Sequence, residues 1–157
     1  MDLTAERGWC DGISRVGRWV LVCSILLLMA SQAASAQKSV TAQSMERQGM
    51  VDVTTLDSTI HVSLMYARPD NFTGRILYAD LREALLHPRA ARALCEAQRL
   101  LKKRRPDLSL KIYDAARPMS VQAQMWQVVV GTPQQNYVSN PRNGGGLHNY
   151  GMAVDVT

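Results

Sequence analysis

The sequence predicts an α+β domain over residues 51–157, on two observations. Segments of strand length in which apolar and polar residues alternate fall near 58–65, 108–115 and 152–156. Segments with apolar residues at three- and four-residue spacing fall near 80–87, 88–105 and 120–130 and read as helices. The two kinds intermix along one chain without internal repeats, which points to a single domain whose strand order is not readable from sequence.

Upstream of this domain the chain has a different character. Arg15 and Arg18 precede an apolar run from Trp19 to Ala30, and Ala34 and Ala36 follow with the spacing of a small-residue cleavage site. Those three parts make residues 1–36 a secretory signal peptide, so the protein is expected to be exported, to the periplasm, after cleavage behind Ala36. The run is shorter than the about 20 residues of a membrane span, and no stable span is expected once it is removed. Residues 37–50 are polar and rich in Gln and Ser, which predicts a flexible lead-in.

The bulk properties exclude several classes. With 46% hydrophobic and 20% charged residues the chain is globular rather than disordered or fibrous. Cys10 and Cys23 precede the expected cleavage point, leaving Cys95 alone in the exported part. No internal disulfide is then available, and stability must come from packing, helped by a metal; Cys95 itself reads as a buried small residue. A net charge of +5 is modest, and the basic residues are not interleaved with aromatics, so no nucleic-acid partner is expected.

The elements follow in order. From Met50 to Tyr66 the composition is β-rich, with Ile60, Val62 and Leu64 on one side and His61 and Ser63 on the other, which makes His61 an exposed strand residue. Tyr66 to Gly74 carries Pro69, Asp70, Asn71 and Gly74 and reads as an irregular loop. Asp80 is placed to cap a short helix reaching His87, and Pro88 suits the first position of a second helix ending near Arg105. In that helix Ala90, Ala91, Leu94, Gln98 and Leu101 share a face, and the closing run Lys102 to Arg105 complements the negative pole of the dipole. Glu83 and His87, four residues apart, read as a surface pair.

Leu108, Leu110 and Ile112 alternate with Ser109, Lys111 and Tyr113 as in a half-buried strand, which delivers Asp114 and Arg117 at its end. Pro118 keeps Arg117 extended. Ser120 is placed to cap a helix through about Val130, with Val121, Gln124, Met125 and Val128 or Val129 inward. Two roles stay open for Arg117: pairing with Asp114, or turning its guanidinium fork toward a substrate carboxylate or a developing oxyanion. Residues 131–146 form a long polar loop of the kind that is often functional.

That loop feeds His148, and Asp155 follows seven residues later. Imidazole nitrogen and carboxylate oxygen together suit a divalent metal such as zinc. Neither a straight helix nor one extended strand would let the two share an ion. A tight reversal near Gly151 would, and glycine tolerates the positive φ of such turns. Asp155 then lies in an apolar return strand, Met152 to Val156, where a lone carboxylate needs a partner.

Three stretches together, Tyr66 to Gly74, Tyr113 to Pro118 and His148 to Asp155, resemble the D-alanyl-D-alanine dipeptidases, the zinc enzymes that include the vancomycin-resistance dipeptidases. The resemblance runs from about Val51 to the last residue. It implies a Hedgehog/D,D-peptidase-like fold, with helices packed on a mostly antiparallel sheet. It also implies zinc held by His148 and Asp155, Arg117 acting on the tetrahedral transition state or the scissile carbonyl, and a small peptide substrate, D-Ala-D-Ala. Family members usually carry a serine two residues before the metal histidine and a tyrosine before Arg-Pro; here the positions are Gly146 and Ala116. They also complete the site with a downstream Glu-x-x-His that supplies the base and the third ligand, and this chain contains none. The expectation is therefore the N-terminal part of such an enzyme, from a truncated gene or an incomplete sequence. The alternatives are a D,D-carboxypeptidase or peptidoglycan endopeptidase of the same fold, and an inactive remnant or wall-peptide-binding module.

Overall fold

A four-residue strand, Lys111–Asp114 (β4), lies at the centre of the domain because its alternation buries Ile112 and Asp114 while leaving Lys111 and Tyr113 half-covered. In this computed structural model, which describes residues 37–157, β4 is the middle strand of three. His61–Val62 (β2) pairs with it in parallel, and Asp155–Val156 (β5) pairs antiparallel on the other side, with an irregularity between Ile112 and Asp114. A second small sheet pairs Val51–Asp52 (β1) antiparallel with Leu85–Leu86 (β3). Two of the three pairings are thus antiparallel, and helices pack around them in an α+β arrangement. Residues Lys38–Thr157 form one compact unit. The expected signal peptide, residues 1–36, lies outside the described residues. Among these, no helix is long and apolar enough to cross a membrane.

The helix Pro88–Arg104 (α3) forms where its pattern predicts, with Pro88 in the first turn and the His87 imidazole accepting from the Arg89 N–H as N-cap. It buries Ala91, Leu94 and Gln98 and leaves its basic residues outward. Gln98 is an amide in an apolar face, and it is satisfied: Nε2 donates to Thr59 Oγ1 at 2.8 Å and Oε1 accepts from Leu110 N–H at 2.9 Å. A short turn, Val53–Leu56 (α2), precedes β2 and packs against α3. Helix Met119–Val129 (α4) begins at Pro118 rather than with Ser120 as cap, and it turns Gln122 inward rather than Gln124.

Two further expectations are corrected. No helix spans 80–87. The Arg82 guanidinium folds back onto the carbonyls of Tyr78, Ala79 and Leu81, of which a helix capped at Asp80 would use the last, and Leu85 and Leu86 are buried in β3. Nor is 37–50 a loose lead-in. Val40–Arg47 forms a helix (α1) that buries Ala42 and Met45 against the core. Asp80, expected to cap a local helix, and Glu83, expected to pair with His87, both serve this one instead. Thr41 donates to Asp80 through its N–H at 3.0 Å and its hydroxyl at 2.6 Å, and Ser39 donates to Glu83 through both groups at 2.8 Å. A composition count misses this because Ser39 and Thr41 dock the helix, and Ser39 caps it, instead of facing water.

These bonds make the docking of α1 acid-sensitive. The Thr41 hydroxyl, then its N–H, hold Asp80 below its ordinary value. At Glu83 burial works upward, and the bonds from Ser39 and Arg82 outweigh it. Carboxyls depressed in the folded state contribute stability that is present above their unfolded values, 3.8 and 4.5, and lost as pH falls through the folded ones. Protection factors of the amides across 40–47, corrected for the intrinsic exchange rate at each pH, are expected to fall as pH drops below those values while β4 stays protected. Asp80→Asn should remove part of that pH dependence.

Candidate active site

Strand β4 ends in a carboxylate aimed at the core. Asp114 is fully buried, and both its oxygens are taken: Oδ1 accepts from the Tyr78 hydroxyl at 2.5 Å, and Oδ2 accepts from Arg117 Nη2 at 2.5 Å and Nε at 3.2 Å. Burial works against the charge on Arg117, but Asp114 more than offsets it and keeps the guanidinium protonated above its ordinary range. Burial, then the neighbouring Asp114 charge, push the Tyr78 phenol far up, so it remains a donor. Arg117 is held further by Gln122 Oε1, which accepts from Nη1 at 2.8 Å, and by the Tyr66 ring, 5.3 Å from its Cζ. Three of its five N–H groups are used in these bonds, leaving one on Nη1 and one on Nη2.

The second half of the site is a single turn. Leu147–Tyr150 forms a 3-10 helix closed by Gly151 at φ +65°. A β-carbon at Gly151 would lie 2.7 Å from the His87 nitrogen, whose N–H donates to the Gly151 carbonyl at 2.9 Å. The reversal expected near Gly151 is therefore present, as a helical turn ended by a left-handed residue rather than a β-hairpin. Main-chain bonds join this turn to the end of β4: Arg117 N–H donates to the His148 carbonyl at 2.9 Å, and Asn149 Nδ2 donates to the Arg117 carbonyl at 3.0 Å.

His148 Nδ1 lies 2.8 Å from the Ala115 carbonyl, which can only accept, so Nδ1 carries the proton. In the neutral ring Nε2 is then left with its lone pair, 3.6 Å from Asp155 Oδ1. Asp114 joins these two in a cluster whose candidate ligand atoms lie within 4.8 Å of one another. Its oxygens are already engaged and its Oδ2 stands 3.6 Å from the protonated Nδ1, so it orients its neighbours rather than facing the open side. Asp155 is half exposed, at 53%.

All three residues singled out from sequence, Arg117, His148 and Asp155, line one pocket of about 250 Å³ with Tyr66, Gln122 and Ser139. The pairs and single residues read as structural stay apart from it: Glu83 binds Ser39, His87 caps α3, and His61 is exposed. Both roles left open for Arg117 are compatible, since pairing with Asp114 leaves two N–H groups free. Tyr78 had no signal in the sequence, and Gln122 had one, a glutamine between the inward Val121 and Met125.

A family model described as D-ala-D-ala dipeptidase matches residues 46–157. The chain belongs to the D-ala-D-ala dipeptidase family. The match begins inside α1, in agreement with that helix being part of the domain. A relative within the curated proteins, the D-alanyl-D-alanine dipeptidase of Escherichia coli (strain K12), is 36% identical over 108 residues, which cover 69% of this chain and 52% of the relative. The chain thus spans about half the length of that dipeptidase.

Proposed function

We propose that the protein is a zinc-dependent peptidase that hydrolyses D-alanyl-D-alanine in cell-wall peptide metabolism, with His148 and Asp155 as metal ligands and Arg117 acting on the substrate. The observation that carries it is the His148 Nε2 to Asp155 Oδ1 approach, 3.6 Å between two atoms that both offer lone pairs. Two acceptors so placed call for a cation between them. Ligands about 2 Å from one tetrahedral ion stand about 3.3 Å apart, so the pair needs little adjustment. The donor set, one imidazole and one carboxylate, suits zinc, and the Ala115 carbonyl fixes the tautomer it requires.

Bound there, zinc supplies Lewis-acid polarisation of a carbonyl and a water activated at neutral pH. The chain's own residues do the rest. Arg117, fixed by Asp114, Gln122 and Tyr66, turns its two free N–H groups to a substrate carboxylate or to the developing oxyanion. The pocket is small beside the about 300 Å³ at which ligand sites usually begin, which suits a dipeptide with methyl side chains. His148 and Asp155 are two of the three protein ligands a catalytic zinc takes, and the proposal assigns the third and the general base to no residue of this chain. The basic, apolar and small-residue segments ending at Ala36 support the proposal of export to the periplasm.

In a protein that also carries the family's Glu-x-x-His, release of D-alanine from the free dipeptide, lost with chelator and restored by zinc, is the expected result. Cleavage of longer muropeptides in preference to the dipeptide would move the assignment to a carboxypeptidase or endopeptidase. A zinc-loaded protein that hydrolyses neither would refute the enzymatic reading.

A further inference from the structure

The long loop 131–146 has so far entered only through its end at His148. It contains two 3-10 turns, Pro133–Tyr137 and Pro141–Asn143, and between them Ser139 passes over α4. One buried side chain pins that crossing. Gln122, 1% exposed, accepts from Arg117 Nη1 through Oε1 at 2.8 Å and donates through Nε2 to the Ser139 carbonyl at 2.7 Å. A single planar amide therefore holds Ser139 and Arg117 side by side.

Ser139 is exposed and lines the same pocket as Arg117 and His148, so its hydroxyl, which bonds to no other described residue, is open to a molecule bound there. Gly146 shows how the space for it is kept. A β-carbon there would lie 2.7 Å from Ser139 Oγ and 3.3 Å from Ser139 Cβ. Gly146 has φ −130°, which any residue adopts, so a side chain there would be opposed only by the space Ser139 takes, its hydroxyl first and its Cβ behind it. The loop thus sets a free donor in the gap that a side chain two residues before His148 would fill.

We infer that Ser139 is a substrate-contacting, specificity-determining residue whose hydroxyl, placed by Gln122 and given room by Gly146, donates beside Arg117 to the terminal carboxylate of the peptide. This rests on the dipeptidase reading of the site. Arg117 supplies charge and Ser139 a neutral donor, so an anionic peptide end is bound from two directions. Gln122 acts through both of them and is a positioning residue.

The test uses the full chain loaded with zinc and two peptides, D-Ala-D-Ala and its C-terminal amide. Ser139→Ala is expected to raise KM for the free acid about tenfold, the scale of a lost bond to a charged group, with kcat within about twofold and the amide unaffected. Gly146→Ser alone should weaken the free acid by crowding Ser139. Combined with Ser139→Gly it should recover most of the loss, because the hydroxyl returns to the same gap from the other side. Binding of both peptides to metal-free protein, followed by NMR shifts, gives a readout independent of turnover and is expected to show the same acid-selective loss. Equal losses for acid and amide, or no recovery in the double variant, would overturn the inference. If the wild type hydrolyses the dipeptide and Ser139→Ala changes nothing, this inference alone falls. If the wild type neither hydrolyses nor binds it, the dipeptidase reading falls with it.

Discussion

His148→Ala is expected to lower the affinity for zinc by at least about 100-fold, the upper end of what losing a mere supporting group at a metal site costs. The argument is geometric. His148 Nε2 and Asp155 Oδ1 face each other at 3.6 Å, and no other imidazole or thiol joins them among the described residues. The histidine is also the preorganised partner, 19% exposed and fixed through Nδ1 to the Ala115 carbonyl, whereas Asp155 is half exposed. Asp155→Ala should act in the same direction with a smaller loss. Arg117→Lys should leave metal affinity near that of the wild type while impairing turnover. Competition against a chromophoric chelator measures all three; zinc affinity that is indifferent to both His148 and Asp155 would remove the proposed pair.

Asp114→Ala is expected to destabilise the domain by about 3–5 kcal/mol, because it leaves a guanidinium buried without its counterion. Asp114 is fully buried and the Arg117 side chain is 11% exposed, so solvent screens the pair little. The loss includes the Tyr78 hydroxyl, which would be stranded in the core. For a domain of this size the melting temperature should fall by on the order of 10–20 °C in a thermal unfolding scan. Replacing both partners, Asp114→Leu with Arg117→Met, should cost less than Asp114→Ala alone, since no charge is then buried. A change below about 1 kcal/mol for the single variant would mean that Arg117 finds water or another partner on relaxation.

How much of this was legible in the sequence depended on the range of the interactions concerned. α3 and β4 follow from local periodicity, and the turn at Gly151 from the spacing of His148 and Asp155 around a glycine; these are short-range facts. The pairing of Asp114 with Arg117 was one of two readings and needed only three residues of separation. The α1 docking was not legible, since Ser39 and Thr41 find their carboxylates about 40 residues away at Glu83 and Asp80. The same distance problem hid Tyr78, whose partner Asp114 lies 36 residues on. Residues 80–87 misled for a related reason: Arg82 ties up the local carbonyls, and Leu85 and Leu86 join a sheet that no local pattern announces. At the site, the single residues were readable and their converging network through Gln122 and Ser139 was not.

The bonds that join Ala115 and Arg117 to His148 and Asn149 have a consequence for how this chain tolerates insertions and deletions. They clamp both ends of everything between, from Pro118 to Gly146, into a closed loop whose mouth does not depend on its circumference. Doubling the length of such a loop costs only about 0.6 kcal/mol. The exposed stretch from Gly131 to Gln134, ahead of the Ser139 carbonyl that Gln122 holds, is therefore where extra residues can be accommodated without moving the histidine. The mouth itself, from Ala115 to Arg117 and from Gly146 to Gly151, has no such latitude.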